Sequence, residues 1–354
     1  MAQQTPEDSY RTQMESPNNV LEIDNLQVQF HTDSGIVKSV DGVSFDLPAG
    51  KIVGLVGESG CGKSVTSLSM MGLLPKPQGK ITGGEIRLNL GDFSYDLART
   101  PQKKLQQIRG STVSMVFQEP MTALNPVLTV GAQIDEVILL HDSRYRTKQE
   151  VQKRTLEILR LVGIANPRGI YKCYPHQLSG GMRQRIMIGI ALACTPRLLI
   201  ADEPTTALDV TIQAQILDLL KDLNQRLGSS VLLITHDLGV VAGVADLVVV
   251  MYAGRVVEKG TVEEIFYHPA HPYTIALMAA KPVVGKQQDR LFTIEGKVPN
   301  PVELPPHCYF RDRCSHAFEA CHGDYPCEIS LSPTHTVSCY KEINRESNHA
   351  SEKP

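Results

Sequence analysis

The chain has 354 residues, which at roughly 150 residues per domain suggests two domains, and its 35 Lys+Arg against 38 Asp+Glu leave a net charge of −3. A content of 42% hydrophobic and 21% charged residues is that of an ordinary globular protein and excludes a disordered chain, a collagen-like fibre and a wholly membrane-embedded protein. The near-neutral charge argues against general nucleic-acid binding, and the absence of Trp removes any Trp belt of the kind that anchors membrane spans.

Residues 1–19 are polar and acidic, with no apolar signal-peptide segment, and read as a disordered leader. From Val20 the pattern becomes strand-like, with LEIDNLQVQF and then VSFDL in rough alternation. Lys51 to Val56 is a buried-strand candidate ending at Gly57, and a helix is predicted from Lys63 to Leu74, stopped by Pro75. Residues 75–112 read as an antiparallel strand set with a short helix, and residues 120–190 as mostly helical. A second buried strand runs from Leu198 to Ala201. The helix after it, from about Asp209 to Leu227, carries Ile212, Ile216, Leu219, Leu220, Leu223 and Leu227 on one face, with Gly228 just past its end. Further apolar strands follow at Val231–Thr235 and Leu247–Tyr252. Strands alternating with helices imply an α/β protein with a parallel core. Past about Phe266 the pattern breaks at His268, Pro269, His271 and Pro272. Residues 266–340 read as a small C-terminal appendage and 341–354 as a frayed tail. The longest apolar runs, Ile186–Cys194 and Leu247–Tyr252, are far shorter than the ~20 residues that span a bilayer. The expectation is a cytoplasmic chain that meets a membrane through a partner.

The sharpest chemical signal is Gly57-Glu58-Ser59-Gly60-Cys61-Gly62-Lys63-Ser64, a G-x-x-x-x-G-K-[ST] phosphate loop between an apolar strand and a helix. Glycines let backbone N–H groups wrap a phosphate, and the helix N-terminus adds positive potential. Lys63 is placed to reach the β- and γ-phosphates, and the Ser64 hydroxyl to ligate Mg²⁺. Cys61 lies inside this loop, where it reads as a small filler; a thiol pKa lowered by the nearby N–H groups would make it sensitive to alkylation when nucleotide is absent. Asp202 follows four apolar residues at the carboxyl end of a strand, where α/β folds bind ligands, and suits a contact to Mg²⁺. Glu203 suits a base that polarises the attacking water.

Leu178-Ser179-Gly180-Gly181-Met182-Arg183-Gln184 resembles the LSGGQ signature of the ATP-binding-cassette (ABC) ATPases, with Met182 in place of the usual Gln. The other cassette motifs occur in order over residues 20–265. The resemblance implies a P-loop cassette fold: a RecA-like core, an antiparallel β subdomain and a helical subdomain at about 120–190. It implies ATP contacts from Phe30, Gly57, Ser59, Gly60, Cys61, Gly62, Lys63, Ser64, Val65, Gln118 and Asp202, with Mg²⁺ held by Ser64, Gln118 and Asp202. Glu203 and the switch histidine His236 are the implied catalytic pair. Ser179, Gly180, Gly181, Gln184 and Asp209 are implied to reach ATP bound by a second ATPase subunit, a paralogous chain. Two transmembrane permeases would dock near Glu119–Pro126 and Tyr174–Gln177, with an extracytoplasmic peptide-binding protein involved indirectly. DNA-repair members of the family insert a long coiled coil between phosphate loop and signature. Only 114 residues separate Ser64 from Ser179 here, so a non-transport role is the weaker reading.

Five of the eight cysteines, Cys308, Cys314, Cys321, Cys327 and Cys339, fall within 32 residues, which in a cytosolic chain points to metal binding before disulfides. Cys308, Cys314, Cys321 and Cys339 are spaced C-x5-C-x6-C-x17-C, and four thiolates can hold a [4Fe–4S] cluster or a zinc ion. The segment His268-Pro269-Ala270-His271-Pro272-Tyr273-Thr274 and the Cys-rich tail are similar to the C-terminal extension of dipeptide and oligopeptide importer ATPases. That resemblance implies an importer for dipeptides or oligopeptides, peripheral at the cytoplasmic face, and favours iron–sulfur over zinc. Related importers carry nickel, glutathione or opines.

Overall fold

The computed structural model describes residues 9–118, 123–206, 208–280 and 293–342. The chain opens with strands β1 (Arg11–Thr12), β2 (Asn19–Thr32), β3 (Gly35–Pro48) and β4 (Ile52–Val56), followed by helix α1 (Lys63–Met70). Next come β5 (Gly79–Asn89), β6 (Ser94–Asp96), α2 (Gln102–Ile108) and β7 (Val113–Val116). A helical run holds α3 (Val130–His141), α4 (Lys148–Leu161), α5 (Pro167–Tyr171) and α6 (Gly180–Ala191). It leads to β8 (Leu198–Asp202), α7 (Val210–Leu227), β9 (Ser230–Thr235), α8 (Leu238–Ala242), β10 (Leu247–Tyr252) and β11 (Arg255–Thr261). The C-terminal region adds α9 (Val262–Tyr267), α10 (Pro272–Ala279), β12 (Ile329–Ser330) and β13 (Thr336–Val337). No helix among the described residues is long and apolar enough to cross a membrane.

The chain divides into two units. The first comprises residues 1–21, 47–52 and 87–234. Its centre is the parallel set β7–β8–β9, in register Val116↔Ala201 and Asp202↔Ile234. All five residues of β8 are buried, the mark of a parallel strand covered on both faces. Helix α7 presents one apolar stripe, with Ile216, Leu217, Leu219, Leu220 and Leu223 buried. Asp209 caps its start, accepting from the Ile212 amide at 3.0 Å, and Gly228 ends it at φ 67. Helix α4 opens with a reciprocal Thr147–Glu150 capping box.

The expected disordered leader is corrected from Ser9 onward. Arg11–Thr12 pairs antiparallel with Ser94–Tyr95, and Tyr10 is buried with its ring edge-on to Tyr95 at 4.8 Å. Glu15 pairs with Arg87 at 2.7 Å, and the Asn89 side-chain amide donates to the carbonyls of Pro17 and Asn19. The segment is polar, yet a sheet edge far away in sequence satisfies its backbone.

The second unit comprises residues 22–46, 53–86 and 235–354. Here β10 runs parallel to β4, from Leu247↔Val53 to Val250↔Val56. Strand β11 pairs antiparallel with β10, β13 with β11 and β12 with β13. Helix α8 lies so close to β4 that a Cβ at Gly54 would stand 2.4 Å from the Val241 side chain. The C-terminal region packs into this unit. Tyr273, Tyr309 and Phe310 share one hydrophobic core with Val56, Val250, Tyr252 and Ile265. The rings of Tyr252, Tyr273 and Phe310 lie within 4.7–5.4 Å of one another, centre to centre.

Candidate nucleotide-binding site

The second unit carries the phosphate loop. Fully buried β4 ends at Val56, and α1 begins at Lys63 with Gly62 at its N-cap, φ 101. Glycine is required at two points by close approach. A Cβ at Gly57 would stand 2.2 Å from the Met251 carbonyl oxygen, and one at Gly62 would stand 2.5 Å from that of Ser39. Lys63 is buried, and its Nζ donates to the carbonyls of Gly57 at 2.8 Å and Glu58 at 3.0 Å. The ammonium thus lies across the loop, where an anion would sit. Ser59 and Gly60 are exposed at the tip, and Ser64 and Val65 are half-buried on the first turn of α1. Phe30 is half-buried on β2, close enough to β5 that a Cβ at Gly79 would stand 2.8 Å from its ring. His236 lies exposed at the end of β9, beside Asp237, which caps α8.

Cys61 is buried, which does not suit the alternative of an alkylation-sensitive thiol. Burial pushes its thiol pKa up, and Lys63 close by offsets only part of that. A buried, protonated thiol is a poor nucleophile.

The first unit carries the carboxylates. Asp202 closes β8 and is buried. Glu203 leaves the strand at φ 47, a left-handed conformation that costs about 1 kcal/mol or more for a residue with a side chain. Its backbone N–H donates to the Ile234 carbonyl at 2.9 Å, which holds the turn against β9. Its carboxylate accepts from the Gln118 side-chain amide at 3.1 Å and the Thr206 hydroxyl at 2.8 Å. The strained turn thus points Glu203 to a place fixed by two side chains, one of which, Thr206, carries no motif of its own.

Ser179 caps α6, accepting from the Met182 amide at 3.3 Å. At Gly181 a Cβ would stand 2.9 Å from Ile212 of α7, and at Gly180 it would meet nothing nearer than Leu208 at 3.7 Å. Gln184, one turn further, is 1% exposed, and its side-chain amide has no hydrogen-bond partner among the described residues. It is sealed inside the first unit, which does not suit the contact to a second subunit expected of it. Asp209 is exposed and serves locally as the cap of α7. Of the expected docking surface, Tyr174 stacks on His176 at 5.7 Å, while residues 119–122 lie outside the described residues.

Cys308, Cys314, Cys321 and Cys339 line one cavity together with Phe310, Phe318 and the basic Arg311 and Lys341. Cys327 is exposed and lies elsewhere. Burial raises the thiol pKa of Cys308 and of Cys339 to about 11. Among the described residues no three His, Cys, Asp or Glu side chains are close enough to hold a metal ion, so the expected metal centre has no support from ligand geometry. The cavity measures about 20 Å³, room for a single water. A cavity of that size admits no cluster unless its lining rearranges.

Comparison with known proteins adds to this geometry. The ABC transporter family matches residues 40–206, and the family described as "Oligopeptide/dipeptide transporter, C-terminal region" matches residues 257–321. The chain is 51% identical over 321 residues to the oligopeptide transport ATP-binding protein AppD of Bacillus subtilis (strain 168), covering 91% of this chain and 96% of that one. It is 51% identical over 326 residues to the dipeptide transport ATP-binding protein DppD of the same organism, covering 92% and 96%. Among solved structures it is similar to the dimeric structure of MJ0796, a bacterial ABC transporter cassette. The TM-score is 0.60 at 29% identity, over 68% of this chain and 98% of that one.

Proposed function

We infer the function from one premise: this chain belongs to the ABC transporter ATPases, in the branch that carries the oligopeptide/dipeptide transporter C-terminal region. It is an ABC-type ATPase, the ATP-hydrolysing subunit of a peptide importer, and its partners are membrane permeases. The observation that carries the nucleotide site is the phosphate loop, whose glycines are forced by close approach and whose buried Lys63 lies across it.

On binding ATP, Lys63 exchanges the Gly57 and Glu58 carbonyls for phosphate oxygens, and Phe30 offers a ring to the adenine. Mg²⁺, when bound, neutralises charge developing on the transferred phosphoryl group. The Ser64 hydroxyl, the Asp202 carboxylate and the Gln118 amide oxygen are hard donors that suit it. With its amide nitrogen engaged by Glu203, Gln118 has the oxygen left for an ion. Glu203 takes the proton of the attacking water as the water oxygen bonds to the γ-phosphorus and the bond to ADP breaks. His236 donates to the γ-phosphate.

Ser179, Gly180, Gly181 and Asp209 complete the site of a second ATPase subunit, a paralogous chain, in a head-to-tail pair. ATP closes that pair, and hydrolysis reopens it. Two permeases turn the cycle into alternating access, fed by an extracytoplasmic peptide-binding protein, with this chain peripheral at the cytoplasmic face. The likeness of the C-terminal region to that of the peptide importers, and not the geometry of the cavity, is the ground for a [4Fe–4S] cluster over zinc at Cys308, Cys314, Cys321 and Cys339. The as-purified absorbance spectrum with iron and zinc analysis tests it. A metal-free, colourless protein removes the cluster.

Glu203→Gln tests the reading. Turnover should fall about 10²-fold or more while ATP binding persists and a closed pair accumulates. Full ATPase activity in that variant would refute Glu203 as the base. Uptake by vesicles holding the complex then separates peptides from nickel, glutathione or opines.

A further inference from the structure

Arg313 ends the short turn Arg311–Arg313 in the C-terminal region, one residue before Cys314 of the four-cysteine cavity. Its side chain is only 6% exposed. A guanidinium has five N–H donors in a rigid fork, and here every one is engaged. Nη1 donates to Glu58 Oε2 at 2.8 Å and to the Tyr252 hydroxyl at 3.3 Å. Nη2 donates to Glu58 Oε1 at 3.1 Å and to the Ile294 carbonyl at 3.3 Å. Nε donates to the Glu295 carbonyl at 3.2 Å. Burial works against the charge, but the Glu58 carboxylate and the Tyr252 hydroxyl outweigh it and raise the guanidinium pKa.

Glu58 is the second residue of the phosphate loop. Its carboxylate takes the Arg313 fork, its N–H donates to the buried Tyr273 hydroxyl at 2.9 Å, and its carbonyl receives Lys63 Nζ. Two of these three holds come from the C-terminal region. The residues that follow, Ser59 and Gly60, are exposed, and Gly60 sits at φ 80 with open space around it. A loop of that composition is free to rearrange unless something outside it fixes its shape.

We propose that Arg313 is a positioning residue for nucleotide binding: through the Glu58 carboxylate, the C-terminal region holds the phosphate loop in the shape that receives ATP. The inference rests on the reading of that loop as the ATP site. Ordering a flexible loop on binding lowers affinity, and a loop already held does not carry that penalty. Freed of its clamp, the loop must be ordered by the ligand. The loss therefore falls on binding, while Glu203 and its neighbours keep their arrangement.

The test uses the full chain and measures ATP dissociation constants and steady-state hydrolysis in Arg313→Met, Glu58→Gln and the double variant. Each single substitution should weaken ATP binding about tenfold or more, the range for charged hydrogen bonds, and raise KM more than it lowers kcat. The double variant should be no worse than Arg313→Met alone, because both changes break the same link. Wild-type ATP affinity in Arg313→Met, additive losses in the double variant, or a melting-temperature drop with unchanged KM would each overturn the proposal. Should Arg313→Met fail to fold, Glu58→Gln, altered on the more solvated side of the pair, decides the same question. A wild-type chain that does not bind ATP at all would instead overturn the nucleotide-site reading, and the proposal with it.

Discussion

Replacing Tyr273 by Phe removes a single oxygen from a fully buried ring. The ring keeps its neighbours: Tyr252 at 4.7 Å and Phe310 at 5.4 Å between centres. What disappears is the acceptor for the Glu58 N–H, now 2.9 Å away. An amide left without its partner costs about 1–3 kcal/mol, and the half-buried position of Glu58 places this one towards the lower end. We therefore expect global stability to fall by about 1 kcal/mol. Faster hydrogen exchange should appear at residues 57–61, and ATP affinity should weaken by a few-fold. Tyr273→Ala, by contrast, empties part of the core and should cost about 3–5 kcal/mol. Thermal unfolding, exchange on the loop and titration with a fluorescent ATP analogue read the three effects separately. If Tyr273→Phe loses stability as severely as Tyr273→Ala, or leaves loop exchange unaltered, the hydroxyl does not hold the loop and the reasoning fails.

Other expectations follow from the same geometry. Ala at Gly57 would force a Cβ onto the Met251 carbonyl, so Gly57→Ala should abolish ATP binding and lower stability measurably; a variant that binds ATP normally would contradict the close approach. Asp209→Ala removes the cap of α7 and should cost about 1 kcal/mol in chemical denaturation. Glu264 is a pH-sensitive staple. Burial would raise its pKa, but hydrogen bonds from Ser332, Thr261 and Thr334 overrule that and bring it down to about 2 from 4.5. Because the folded value lies below the unfolded one, its stabilisation is complete above about pH 5 and is lost as pH falls from there towards 2. Solvent screening reduces it to about 1–2 kcal/mol. Glu264→Gln should therefore flatten the acid limb of the stability curve, and an unaltered limb would remove Glu264 from it.

The local code of the chain was readable where pattern and chemistry coincide. The runs at Leu198–Ala201, Val231–Thr235 and Leu247–Tyr252 each form a strand, and Gly228 ends α7. The strand–loop–helix frame of Gly57–Ser64 stands as its spacing indicates, although α1 ends at Met70, short of Leu74. What stayed hidden depends on partners distant in sequence. Tyr10 and Arg11 look like any polar leader until the strand at Ser94–Asp96 meets them. Arg313 is one arginine among many, and only the fold brings it to Glu58, 255 residues earlier. Gln184 sits inside a recognised motif, but the turn of α6 carries it into the interior, away from where the motif alone would put it. Glu203 was legible as a carboxylate at a strand end, while its left-handed backbone and its Thr206 contact were not, because neither leaves a periodic trace.

The shared core of Tyr273, Tyr309 and Phe310 with Val56 bears on anyone wishing to trim this protein to a minimal ATPase. Cutting behind α9 would strip three large aromatic rings from the underside of the strand that delivers the phosphate loop, and wet an apolar surface that the intact chain keeps dry. Such a fragment should aggregate or lose its grip on nucleotide, whatever motifs it retains. A shortened version worth purifying extends at least through Glu342, itself buried.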